Sequence, residues 1–129
     1  MDPEEFDDLV DEALEDLPDE FADRLDNIDV VSERRPSARV LREMGLLGHG
    51  TLLGLYQGVP QTRRTSDYGN VLPDRIVVYR DPVLAEARAD RRPGETLDDA
   101  IRRVARDTVL HEIGHHFGLS DPDLEDVGY

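Results

Sequence analysis

The stretch His111-Glu112-Ile113-Gly114-His115-His116-Phe117-Gly118-Leu119-Ser120-Asp121 decides how the rest of the chain is read. Its pattern is H-E-x-x-H-x-x-G-x-x-D. Residues four apart on a helix lie one turn apart on the same face, so the His111 and His115 imidazoles can grip a single metal ion. Glu112 stands beside the first of them, where a carboxylate can take a proton from a metal-bound water. Gly118 offers the left-handed residue on which helices commonly end. Asp121 then has three residues in which to swing back toward the metal. Two neutral imidazoles and one carboxylate suit Zn²⁺, with a fourth position left for water.

The flanking sequence predicts a long helix. Thr96 and Asp99 have the spacing of a capping box with Thr96 as N-cap. Leu97, Ile101, Val104 and Thr108 then recur at steps of 4, 3 and 4 residues, and His111 and His115 continue the series on the inward face. A core histidine satisfied by a backbone carbonyl would explain one such residue. It does not explain two at i, i+4 with Glu112 between them and Asp121 after. Asp121-Pro122 is also a common way to open a turn, and Asp123, Glu125 and Asp126 are competing carboxylates. The six-residue step from His115 favours Asp121, because a third ligand follows at that place in H-E-x-x-H-x-x-G-x-x-H proteins. His116 falls off the ligand face and His49 sits in a Gly-flanked turn, so neither is taken as a ligand.

The chain resembles the small bacterial zincin-like metallopeptidases, the minimal-zincin family. The H-E-x-x-H-x-F-G-x-x-D run is the specific part of the likeness. Leu53-Gly54-Leu55-Tyr56-Gln57-Gly58-Val59-Pro60, followed by Thr62-Arg63, resembles the family's central strand and loop, and Pro73-Asp74-Arg75-Ile76-Val77-Val78-Tyr79-Arg80 its next strand. Together these cover most of residues 25 to 121. The resemblance implies a zincin fold and metal-dependent peptide-bond hydrolysis, with His111, His115 and Asp121 as zinc ligands and Glu112 as general base. It supplies no substrate beyond a peptide or protein. Metzincins carry His as third ligand and a methionine turn; here the residue is Asp, and no Met follows Met44. Fourteen residues follow His115, too few for a later helix to bring a Glu ligand. The expectation is a shallow, open cleft, or one completed by a partner protein.

A length of 129 residues fits one domain with a modest core. The absence of cysteine excludes a disulfide framework and a thiolate metal site. The beginning Met1-Asp2-Pro3-Glu4-Glu5 has no basic stretch followed by an apolar one, and no apolar run approaches a membrane span, so a cytoplasmic protein is expected. Thirty acidic residues against fifteen basic ones give a net charge of -15, a field that opposes nucleic acid and anionic membrane as partners. All the basic residues are Arg, for which a GC-rich coding genome is the plain explanation. Much of the acidity lies in residues 2 to 29 and in the last nine, where such runs usually form solvated faces or a tail.

The remaining pattern predicts an α+β domain over residues 1–129: a small twisted mixed sheet packed on helices, the histidine helix among them. Phe6, Leu9, Val10, Ala13, Leu14 and Leu17 recur at helical spacing within an acidic N-terminal helical region, 1–25, that Pro18 interrupts. Ile28 to Val31, Thr51 to Gln57 and Arg75 to Tyr79 read as strands. Pro36 suits the first position of a short helix that Gly45 ends. Residues 58 to 73 read as a surface loop, 83 to 89 as a weak helical turn, Arg91-Arg92-Pro93-Gly94 as a breaker, and 122–129 as a flexible tail.

Two other functions compete with a peptidase. A zinc hydrolase of a non-peptide bond such as an RNA phosphodiester needs a basic surface, which the charge opposes. A zinc-stapled, non-enzymatic interaction module would favour four protein ligands and leave Glu112 idle. Within the peptidase reading, the Thr51 to Gln57 strand, or the loop after it, is a candidate edge for an extended peptide. Tyr56, Tyr68, Tyr79, Tyr129, Arg63 and Arg64 are the side chains able to stabilise an oxyanion, and the sequence does not choose among them.

Overall fold

The computed structural model describes residues 1–46, 52–58 and 74–116. In it the acidic N-terminus folds for local reasons. The Asp2 side chain caps helix α1 (Pro3–Glu15) by accepting the Glu5 N–H at 2.9 Å, Pro3 occupies the first turn, and Glu4 and Glu5 face the positive end of the helix dipole. Phe6, Leu9, Val10 and Ala13 form its buried stripe. After Pro18, α2 (Asp19–Leu25) buries Phe21. Strand β1 (Ile28–Glu33) follows, then the short helix α3 (Ala38–Glu43), β2 (Gly54–Gln57), β3 (Asp74–Tyr79), α4 (Arg80–Ala89) and the long α5 (Leu97–His116).

The sheet order is β1-β3-β2, with β1 parallel and β2 antiparallel to β3. The mixed sheet and five helices make an α+β fold, as expected among the described residues. Ile76, Val77, Val78 and Tyr79 of the central strand are all buried, as a strand covered on both faces requires. Ile76 and Val78 join the main core with Phe6, Phe21, Val83, Ile101, Leu110 and Ile113. Helix α5 packs on α1, α4, β2 and β3, so the helix of the metal motif is also the centre of the apolar packing.

The capping box is present in both directions: Asp99 N–H donates to Thr96 Oγ1 at 3.0 Å and Thr96 N–H to Asp99 Oδ2 at 3.3 Å. The connection before it is fastened by Arg103, whose guanidinium donates to Glu95 at 2.9 and 3.0 Å and to the Asp90 carbonyl at 2.9 Å. That bidentate bond holds the Glu95 carboxyl down at about 2.

Several boundaries differ from the sequence expectation. Helix α1 stops at Glu15, yet Leu17 remains buried beyond it. Strand β1 runs on to Glu33 because its parallel pairing with β3 continues to Tyr79. Residues 80–89 form a full helix, since β3 leads straight into it and Pro82 lies in the first turn, where its missing N–H costs nothing. Ser37, not the residue at Pro36, starts α3, its hydroxyl accepting the Val40 N–H at 3.1 Å. Gly45 does end that helix with a φ of 71°, its N–H bonding Arg42 O and the Leu46 N–H bonding Leu41 O. The expected loop at 58–73 and the tail at 122–129 lie almost wholly outside the described residues. No helix among the described residues is long and apolar enough to cross a membrane.

Candidate metal centre

Helix α5 carries the motif past the edge of the core. Its buried apolar side chains near this end are Val109, Leu110 and Ile113, while His111 is half-buried and His115 exposed. The histidines therefore extend the apolar stripe in register without sharing its burial, which differs from the inward face expected. Access to solvent is what a site with an open coordination position needs.

The two imidazoles converge. Nε2 of His111 and Nε2 of His115 stand 2.6 Å apart, with ring centroids at 4.3 Å and planes tilted by 42°. Both rings thus aim the same nitrogen at one small volume, at hydrogen-bonding distance from each other; a tetrahedral ion with Zn–N bonds of about 2.0–2.1 Å would spread the two nitrogens to roughly 3.3 Å. Among the described residues no set of three His, Asp or Glu side chains forms a metal cage. Asp121, the expected third ligand, lies outside the described residues, as does His49. The histidine pair fits a metal ion by donor chemistry and by direction.

Glu112 is positioned by a different element. Its Oε1 accepts the backbone N–H of Tyr56 in β2 at 2.9 Å. Burial raises the Glu112 carboxyl above its ordinary value, while the Tyr56 N–H and the His115 imidazole pull it back. The strand reaches the helix because residue 54 is glycine. A Cβ on Gly54 would lie 2.5 Å from Thr108 Cγ2 and 3.0 Å from the Val77 carbonyl oxygen. Thr108 cannot readily rotate away, since its hydroxyl donates to Val104 O at 2.7 Å.

A family model described as zincin-like metallopeptidase matches residues 25–129. The chain belongs to this family. No curated protein matches it. Family membership carries zinc-dependent peptidase as the general class of activity. The zincin-like helix is α5, and the match leaves α1 and nearly all of α2 outside it.

The strand contact to Glu112 is the part of the site that sequence reading missed. The signal was present: an isolated glycine inside a strand marks a close backbone approach. Of the residues considered for an oxyanion, Tyr56 commits its hydroxyl to Asp74 at 2.5 Å, and Tyr79 is 1% exposed, its phenol pushed up by burial and by Glu33. Tyr68, Tyr129, Arg63 and Arg64 lie outside the described residues.

Gly54→Ala is expected to force β2 off α5 and to destabilise the fold by about 1–3 kcal/mol, the usual cost of overpacking. Urea unfolding measures that loss. Adding Thr108→Ser, which deletes the opposing Cγ2, should recover part of it; a single variant as stable as wild type would disprove the close seat.

Proposed function

We propose that this protein is a peptidase that hydrolyses peptide bonds at one zinc ion per chain, held by His111, His115 and Asp121, with Glu112 as general base. The observation that carries the proposal is the convergence of the two Nε2 atoms beside a carboxylate that a strand amide fixes in place. Zinc, when bound, supplies a Lewis acid that activates water and polarises the substrate carbonyl.

The chain's own residues account for the proton. Tyr56 N–H occupies Oε1 of Glu112, which leaves Oε2 to accept a proton from the attacking water. The water oxygen bonds to the carbonyl carbon, the C–N bond breaks, and Glu112 returns the proton to the departing amine nitrogen. A peptide or protein substrate in the cytoplasm is the proposed setting. The charge of -15 opposes nucleic acid and anionic membrane as partners, and a partner protein completing the cleft is the remaining element of the proposal.

The test is a mixed peptide library incubated with zinc-loaded protein and read by mass spectrometry. New termini should form, vanish on chelation and return when zinc is restored. His115→Ala should bind about a hundredfold less zinc or worse, comparable to or beyond the loss from damaging a ligand's support. An intact library with zinc bound, or cleavage that survives chelation, would sink the proposal.

A further inference from the structure

Residue 56 joins two parts of the molecule. Its N–H donates to Glu112 on α5, and its hydroxyl donates to Asp74 Oδ2 at the start of β3. In the antiparallel register Tyr56 faces Ile76, so Asp74 lies two residues along β3, the diagonal distance that an aromatic side chain spans. Strand β2 is only four residues long and, among the described residues, lies at an edge of the three-stranded sheet. Such a strand is weakly held by pairing alone, and a slip by one residue would turn its side chains to the opposite faces. The Tyr56–Asp74 bond selects the register, and Gly54 on Thr108 sets the separation from the helix.

We propose that Asp74 and the Tyr56 side chain are positioning residues for hydrolysis: they fix β2 so that the Tyr56 amide holds the Glu112 carboxylate in its working orientation. The inference rests on the reading of Glu112 as general base. An ordinary sheet contact would stabilise β2 without any bearing on turnover. Here the hydroxyl and the amide belong to one residue, so freedom gained at Asp74 is passed directly to Glu112.

The experiment follows amide hydrogen exchange by NMR in the zinc-loaded full chain, together with peptide cleavage. Glu112→Ala should speed exchange at the Tyr56 amide by about tenfold, with Leu55 and Gln57 changed by less than about twofold. Tyr56→Phe and Asp74→Ala should each speed it by a smaller factor. Both should lower kcat by about tenfold with KM and zinc affinity held within about twofold. The double variant should be no worse than either single one. Asp74→Asn keeps an oxygen that accepts from the phenol and should restore both readouts. Unchanged Tyr56 exchange in Glu112→Ala would overturn the contact. Tyr56→Phe and Asp74→Ala that lower the thermal midpoint without lowering kcat would overturn the positioning role. If wild type cleaves nothing, the peptidase reading falls, whereas the exchange series separately supports or overturns the link from Asp74 through Tyr56 to Glu112.

Discussion

Glu112→Gln is expected to lower turnover by about 10²- to 10⁴-fold, the range that a positioned proton acceptor contributes, while zinc content stays at the wild-type level. The substitution separates the carboxylate's two jobs. A glutamine oxygen can still accept the Tyr56 N–H, so β2 and α5 keep their contact. A glutamine cannot take up the water's proton. Stability should move the other way, or not at all. Burial already disfavours the charged form of Glu112, and a neutral amide removes that cost. The thermal midpoint should therefore match or exceed that of wild type, the usual sign of a site whose arrangement is maintained at some expense to stability. Metal analysis, a thermal scan and peptide cleavage on one preparation check all three points. Undiminished cleavage would show that Glu112 is not the base.

The features legible in the sequence are those encoded by local periodicity. The capping box at Thr96 and Asp99, the stripe through Ile101, Val104 and Thr108, and the histidines one turn apart each depend on spacings within a single helix. Spacing alone therefore brought His111 and His115 together, and the structure shows their nitrogens meeting. The Tyr56–Glu112 bond joins residues 56 positions apart and involves a backbone donor, which has no residue-type signature. Only Gly54 hinted at it. Strand β1 outruns the β-branched pair Val30 and Val31, because Ser32 and Glu33 pair with Val78 and Tyr79 whatever their own preference. Residues 83 to 89 alone read as a weak helical turn, whereas β3 leads straight into a helix that begins at Arg80 and takes Pro82 into its first turn. Tertiary pairing overrode local preference in both places.

Phe6→Ala should destabilise the protein by about 3–5 kcal/mol, as removal of a fully buried phenylalanine commonly does. Domains of this size have only about 5–15 kcal/mol to lose. Phe6 is 0% exposed and lies in α1, outside the matched region 25–129. The acidity of α1 belongs to its outer face, and the apolar stripe expected from its helical spacing is buried: Phe6, Leu9 and Val10 share one cluster with Ile101, Val104 and Ala105 of the motif helix. The charged contacts between the two helices weigh far less. Arg102 donates to Glu12 at 2.6 Å, but both side chains are partly exposed, and such pairs contribute about 0–1 kcal/mol. Glu12→Ala should therefore be nearly silent where Phe6→Ala is severe, and urea unfolding of the two variants compares them directly. A Phe6→Ala loss below about 1 kcal/mol would mean that α1 is only loosely attached. The expected larger loss makes α1 part of the platform that holds α5, and so part of what keeps the two histidines and Glu112 in register with β2.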